Sequence, residues 1–516
     1  MPDLLPAGLG LRVQQLPRRI TRAAVDSLEQ LIVVTPAKWP DKGWNQLPDG
    51  KHLKALVRRA GKEPKRRILQ SRLSNRMVTG ITLGKLPEAA EGIGIPGVYP
   101  LLRFAGELVA AALQDNPHNL GLTALGLSAD ESASLVLAVV LATAAHRFTL
   151  PQYQSGKTPR SRTLTLKVFG LGKRVDVGRS LAEAEATNLA RWLTAQPPNR
   201  LNARTYRKAL EQLTTDNNWS MRFLDEKQLK RLNAGAFLAV AQGNSSADAG
   251  IAHIRYRPGK TRERPALALV GKGIIFDTGG TNLKPFKAML DMHQDMAGSA
   301  VAVSTLLALT RLQVPFAVDC WLAITENRLS ADAYKSRDIV TASNGTTIEV
   351  IHTDAEGRMA LADALALAAR EHPELILDYA TLTGSCVQAL TERFSGVFSN
   401  RDALNQLLID VGRESGERVW PFPMDKDFDD DLKSSVADIL QCALDGSGDH
   451  IHAARFLQRF VPDNIPWVHM DLSASSGKSA LAQIPSGTTG FGVRFSLSLV
   501  LDHGEAVKKA ANAIEN

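Results

Sequence analysis

Two acids and an arginine stand at alternate positions of "HTDAEGRM" (352–359): Asp354, Glu356 and Arg358. The β-rich run "TTIEVI" precedes them, and in an extended chain residues i, i+2 and i+4 point the same way, so all three are expected to face one space. Two carboxylates about 4 Å apart repel by several kcal/mol at an effective dielectric of roughly 20, so a proton, an arginine or a metal must lie between them. Two further segments supply partners. "LALVGKGIIFDTGGTNLK" offers Lys272 just after a strand, Asp277 before a turn and Lys284 beyond it. "MLDMHQDMAGSA" offers Asp295, expected on one helix face with Met289 and Met292. Singly, each residue has an ordinary role: Asp277 caps a turn, Asp295 is a surface acid, Lys284 is solvated, and Arg358 pairs with its neighbouring acids. Together Asp277, Asp295, Asp354 and Glu356 carry four negative charges, which two divalent cations would balance. Oxygen-rich ligation suits Mn, Mg or Zn, and carboxylates can bridge two ions roughly 3.5–4 Å apart.

Other chemistries lack their patterns. There is no HExxH for a single-zinc site and no GxxxxGK[ST] for a nucleotide phosphate loop. "GTTGFGVR" (487–494) lacks the strand–turn–helix setting of a dinucleotide fingerprint. His450, His452 and His469, with Asp449, are spaced too irregularly for a metal site and read as surface or interface residues.

Elements that can position such a cluster are legible around it. The 516 residues exceed one ordinary hydrophobic core, so two domains are expected. Residues 1–178 mix strand candidates ("QLIVVT", "MVTGITLG", "LTLKVFG") with helical runs and a loop at "SGKTPRSR", giving an N-terminal α/β domain without a chemical motif. A connecting helix over 179–196 opens the larger domain, 179–516, and Pro197-Pro198 ends it. Beyond it "MRFLD", "IAHIRYR", "ALALVG", "VDCWLAIT", "TIEVIH" and "LILDYA" alternate with helices, which predicts a mostly parallel central sheet flanked by helices. Ligands of such sheets bind beyond the carboxyl ends of the strands.

Net charge is +8, concentrated in 51–76, where ten Lys/Arg face the single Glu63. This stretch reads as a solvated helix pair with Leu53, Leu56, Val57, Ile68 and Leu69 turned inward. The alternative is nucleic-acid binding, although no aromatic residues interleave the basic ones. Cys320, Cys386 and Cys442 lie far apart and suit reduced thiols in the cytoplasm. The apolar run at 133–145 is short for a bilayer and is expected to be a core helix, so no membrane partner is expected. The N-terminal stretch, broken by Pro6 and two glycines, lacks the pattern of a leader peptide.

"VGKGIIFDTGGTNLK", "MLDMHQDMAGSA", "HTDAEGRM" and "DYATLTGS", in this order and spacing, resemble the leucyl (cytosol) aminopeptidase family of dinuclear metallo-exopeptidases. The likeness extends from about residue 180 to the end. It implies that Lys272, Asp277, Asp295 and Glu356 hold a tighter metal and that Asp277, Asp354 and Glu356 hold a more exchangeable one, the pair being Mn or Zn, with Mg or Co as alternatives. It implies that Lys284 stays protonated and polarises the scissile carbonyl, that a two-metal-activated hydroxide attacks, and that Arg358 holds a bicarbonate. Met292, Thr381, Leu382 and Gly384 would bind substrate, a peptide with a free N-terminus and a leucine-like or other first residue, in a homohexamer. The sequence departs from the family at His352, Met359 and Ala297. It departs again at "HMDLSASSGKSA", where Ser473 and Ser476 replace an apolar stretch and bear on the preference for leucine.

Overall fold

The computed structural model describes residues 4–60, 67–88, 97–155, 162–244, 246, 248–259 and 264–512. The expected loop at "SGKTPRSR" and the middle of the basic stretch lie largely outside these residues. Contacts divide the chain into two units. The smaller holds residues 7–185 with 479–487, and the larger holds 186–478, 488–516 and the N-terminal residues through Pro6. The cut therefore falls inside the helix Gly178–Thr194 rather than at its start.

The smaller unit contains β1 (Leu11–Leu16), β2 (Gln30–Thr35), β3 (Ile68–Arg72), β4 (Gly80–Lys85), β5 (Asn119–Ala124) and β6 (Leu164–Phe169). They form one sheet in the order β1-β6-β5-β2-β4-β3, parallel except where the edge strand β3 runs antiparallel to β4. Alternation along β2 shows why both faces are covered. Ile32 and Val34 join a core with the helices Val98–Ala112 and Ala129–Arg147, while Leu31 and Val33 join Leu53 and Val57 of the helix Gly50–Ala60. The apolar run at 133–145 thus lies in a helix, Ala129–Arg147, that meets the length and composition of a membrane span yet is largely buried in this core. The basic stretch is not a helix pair. Among its described residues, Ile68–Arg72 form the edge strand β3, which pairs with β4 and buries Leu69.

The larger unit contains β7 (Ser220–Asp225), β8 (Gly250–Tyr256), β9 (Leu267–Asp277), β10 (Val318–Asn327), β11 (Ile339–Thr341), β12 (Thr347–Glu349), β13 (Leu375–Ala380), β14 (Ser395–Ser399), β15 (Val419–Pro421), β16 (Ile439–Leu440) and β17 (Trp467–Asp471). Eight of them form the central sheet in the order β15-β14-β17-β13-β9-β10-β8-β7. Its middle, β17-β13-β9-β10, is parallel, and antiparallel pairings flank it. Val270 belongs to a core shared with the helix Glu356–Ala369. Gly271 faces the opposite way, where a Cβ would fall 2.5 Å from Ser299 Cα of the helix Ala297–Arg311. The α/β class with a mostly parallel sheet is thus as expected.

Three local expectations fail. "TIEVIH" contributes β12 to a separate three-stranded sheet with β11 and β16, not to the central sheet. "HTDAEGRM" is not extended: Thr353 and Asp354 lie in a turn and Glu356 opens a helix. "AMLDMHQDMAGSA" is not one helix but a turn of helix, Phe286–Met289, then a 3-10 turn, Met292–Gln294, ahead of Ala297–Arg311. Asp295 caps that 3-10 turn, so it does not share a helix face with Met289.

Candidate metal centre

The four parallel strands of the central sheet deliver polar residues at their carboxyl ends. Asp277 ends β9, Asn327 ends β10, Asp471 ends β17, and Thr381 follows β13. Lys272 comes from within β9, which runs on through "GKGIIFD", rather than from just after a strand. A register shift in β10 between Thr325 and Asn327 sets Asn327 opposite Asp277. Asn327 Nδ2 donates to Asp277 Oδ1 at 2.8 Å and to the Thr353 carbonyl at 2.9 Å. Gly279, at φ +86°, turns the chain after Asp277 and donates its N–H to Asp277 Oδ1.

Thr353 fastens this turn to the loop bearing Asp354. Its hydroxyl donates to the Gly279 carbonyl at 2.6 Å and accepts from the Asn282 N–H at 2.8 Å, while its carbonyl also accepts from Tyr334 Oη at 2.7 Å. The helix Glu356–Ala369 then starts beside Lys272, and only a glycine fits at 357: a Cβ there would lie 2.7 Å from Lys272 Nζ.

The candidate residues converge in two lysine-centred groups. Lys272 Nζ lies 2.8 Å from Asp295 Oδ1 and 2.9 Å from Glu356 Oε1, and donates to the Thr381 carbonyl at 3.0 Å. Lys284 Nζ lies 2.9 Å from Asp277 Oδ2 and 2.5 Å from Asp354 Oδ1. One oxygen from each of Asp277, Asp354 and Glu356 falls within 4.8 Å of the others. Lys272, Asp277, Asp295 and Glu356 are all buried. Burial works against the Lys272 ammonium, but Asp295, Glu356 and Asp277 outweigh it and hold its pKa above the usual lysine value. Lys284 is raised in the same way, against burial, by Asp277, Glu356 and Asp354. Burial, assisted by Glu356 and Asp277, lifts Asp295 well above the carboxylate range. Burial also leads for Asp354, which Asp277 and Glu356 help to raise to about 7.

Fully ionised, four carboxylates against two ammonium groups would leave two negative charges uncompensated in a buried site, which is why Asp295 and Asp354 are pushed toward their protonated forms. Moreover, Asp295 Oδ2 and Glu356 Oε2 are buried without a hydrogen-bond partner among the described residues. An oxygen-rich donor set with excess negative charge and unused lone pairs fits divalent cations.

Arg358 joins neither lysine-centred group, although Glu356 lies near enough to add, against burial and after Asp449, to the rise of its pKa. Its side chain, 2% exposed, leaves Asp354 and Glu356 and pairs through Nη2 with Asp449 Oδ1 at 2.7 Å, while Nη1 donates to the Gln441 carbonyl. A bicarbonate seated there would stand beside the Asp449 carboxylate, although Arg358 Nε is buried without a hydrogen-bond partner among the described residues. Among the substrate candidates, Thr381 donates its hydroxyl to Asp295 Oδ1 at 2.7 Å and the Leu382 N–H donates to Asp471 Oδ1 at 3.1 Å. Met292 is half-buried in the 3-10 turn and Gly384 is exposed at the start of the helix Gly384–Leu390. Ser473 is buried and turns its hydroxyl to Cys386 Sγ, while Ser476 is half-buried.

The histidines form no common site, but two of them are not on the surface. His469 is fully buried against Asp378, and buried His452 meets Asp431. His450 interacts with Ser385 Oγ. The roles of Asn327, Thr353, Asp449 and Asp471 escaped the sequence reading. A polar residue closing a strand beside an acid was the signal available for Asn327.

Residues 188–497 match the cytosol aminopeptidase family, catalytic domain. A probable cytosol aminopeptidase of Syntrophotalea carbinolica is 39% identical over 396 residues, 75% of this chain and 77% of the relative. Among solved structures, a tomato leucine aminopeptidase mutant superposes with a TM-score of 0.81 at 27% identity, covering 95% of this chain and 96% of that one. The bottromycin maturation enzyme BotP in complex with Mn gives a TM-score of 0.76 at 27% identity, covering 94% and 100%. The match across the segments that supply both lysines and all four carboxylates makes this chain a member of the cytosol (leucyl) aminopeptidase family, a metal-dependent exopeptidase.

Proposed function

We propose that the chain releases N-terminal amino acids from peptides at a two-metal site. The observation that carries this reading is the excess of buried, partly unpartnered carboxylate around Lys272 and Lys284. Lys272, Asp277, Asp295 and Glu356 would hold one ion, and Asp277, Asp354 and Glu356 the other. Manganese is the first ion to test, given the Mn in BotP, with Zn next and Mg or Co as alternatives. Once bound, such ions supply Lewis acidity and a hydroxide at neutral pH.

The chain's own residues do the rest. Lys284, 14% exposed and held protonated, presents a cation to a substrate carbonyl and to the charge that develops on its oxygen. Thr381, braced by Asp295, and Leu382, braced by Asp471, shape the wall beyond β13 where substrate is bound, together with Met292 and Gly384. The smaller unit carries no catalytic residue in this reading. Ser473, engaged with Cys386, leaves Ser476 as the more available hydroxyl, so acceptance of small polar first residues alongside leucine is expected.

Buried free cysteines and the relatives' designation support a cytoplasmic setting, and the family resemblance supports a homohexamer, which light scattering tests. Nothing further favours nucleic-acid binding, since Leu53, Val57 and Leu69 of the basic stretch serve the core.

The deciding experiment is hydrolysis of leucine and methionine anilides with added Mn, with a chelator, and by Asp354→Ala. Activity should vanish in the last two. Full turnover by Asp354→Ala, or cleavage of an N-acetylated peptide as fast as the free one, would refute the reading.

A further inference from the structure

Arg358 carries a charge in an enclosed place: Nη2 holds the Asp449 carboxylate, Nη1 donates to the Gln441 carbonyl, and Nε is buried without a hydrogen-bond partner among the described residues. Asp449, which accepts from its Nη2 at 2.7 Å, is the first residue of the helix Asp449–Gln458, reached through Gly448 at φ +61°. A helix start favours a carboxylate there. Its side chain keeps 29% exposure while that of Arg358 keeps 2%, so Asp449 stands on the more open side of the guanidinium. Gln441 couples this pair to the candidate metal centre. Its carbonyl accepts from Arg358 Nη1, its Oε1 accepts from the Ile351 and His352 N–H groups at 3.0 Å, and its Nε2 donates to the Ala355 carbonyl at 3.1 Å. One residue therefore braces both the Arg358–Asp449 pair and the loop that bears Asp354. A further anion at Arg358 would meet the Asp449 carboxylate, and like charges in an enclosed site repel.

We propose that Asp449 supplies from the chain itself the anion that Arg358 holds beside the metal centre, so that the enzyme works without an exchangeable bicarbonate or other small carboxylate. This rests on the aminopeptidase reading above. A role confined to a structural ion pair predicts that added anions restore the stability of a variant lacking Asp449 but not its turnover, whereas a built-in anion that serves the reaction predicts recovery of both.

The test uses the full chain loaded with Mn in carbon-dioxide-depleted buffer, with and without millimolar bicarbonate or formate. Wild-type turnover of leucine anilide should be unchanged by either anion. Asp449→Ala should lose activity by about 10–100-fold, the scale of removing an outer partner of a metal site, and recover several-fold with bicarbonate or formate. Asp449→Asn, which keeps the shape of the side chain, should lose activity similarly. Thermal unfolding of the metal-free protein gives a second readout: bicarbonate and formate should raise the Tm of Asp449→Ala but not of wild type. Stimulation or stabilisation of wild type by bicarbonate overturns the proposal, as does a fully active variant indifferent to anions or a variant whose stability recovers without its turnover. Absence of peptidase activity under every condition would instead defeat the aminopeptidase reading, and the unfolding comparison would still decide whether Asp449 fills the seat.

Discussion

Replacing Gly357 with alanine sets two effects of known sign against each other. In an ordinary helix the change gains about 0.5–1 kcal/mol, because glycine loses more backbone freedom on folding. Gly357 is the second residue of the helix Glu356–Ala369 and has no positive φ, so its backbone does not require glycine. Its surroundings do. A Cβ would lie 2.7 Å from both Lys272 Cε and Nζ and 2.8 Å from Cδ. Lys272 cannot swing aside, since its ammonium is fixed by Asp295, Glu356 and the Thr381 carbonyl. Overpacking of this kind costs about 1–3 kcal/mol, so the net change runs from about zero to about 2.5 kcal/mol destabilising. A shift of Lys272 by about 1 Å should lower kcat/KM by about 10²-fold. The assays are thermal unfolding of the metal-free protein and turnover with Mn. Gly504→Ala is the control: it opens the helix Gly504–Asn512 with no neighbouring atom within 4 Å and should be neutral or slightly stabilising. If Gly357→Ala gained the stability of an ordinary helical substitution and kept full kcat/KM, the packing argument for Lys272 would be wrong.

Two other expectations follow from the same site. Asn327→Ala removes the donors to Asp277 Oδ1 and the Thr353 carbonyl and should weaken metal binding by about 10–100-fold, read by metal titration; unchanged affinity would mean that Asp277 does not depend on this brace. For pH, Asp354 is raised to about 7 and Asp295 is raised as well. Between the unfolded carboxylate value and about 7 the folded metal-free protein binds more protons than the unfolded one, so these groups contribute stability at low pH that is lost as pH rises toward 7. Metal ligands must be deprotonated, so bound ions should act in the opposite sense. The Tm difference between Mn-loaded and chelated protein should therefore grow from pH 5 to 7.5, and a constant or shrinking difference would contradict the assignment.

Much of the fold was legible because its strands are continuous apolar runs. "QLIVVT" and the long apolar stretches of β9 and β10 belong to sheets covered on both faces, which is where such runs are forced. The site was legible as a set of residues but not as a geometry. Alternation placed Asp354, Glu356 and Arg358 on one strand face, whereas the chain turns at Thr353 and starts a helix at Glu356. Once helical, residues two apart no longer share a side, and Arg358 departs toward Asp449. Three-residue local patterns cannot show this, since the turn is held by Asn282, Asn327 and Tyr334 from distant segments. Met292 and Asp295 were misplaced for a similar reason: a helical period persisted in the sequence across a break at Leu290–Asp291. His469 read as a surface residue because its buried partner, Asp378, lies on the adjacent strand β13, ninety-one positions away in sequence.

Two lysines hold this acidic site together. Lys272 spans Asp295 and Glu356, and Lys284 spans Asp277 and Asp354, so every carboxylate of the set touches one ammonium. The lysines hold the acids within reach of one another without matching four ionised carboxylates, so burial and the neighbouring acids push Asp295 and Asp354 toward their protonated forms. The two lysines differ in what a metal asks of them. Lys272 is enclosed, 3% exposed at its side chain, and can act as a ligand only by giving up the proton that Asp295 and Glu356 stabilise. Lys284 is more open and can turn from Asp277 and Asp354 toward substrate while keeping its charge. Metal loading near neutral pH should therefore release the protons of Lys272, Asp295 and part of Asp354, and buffer-dependent calorimetry would measure that release directly.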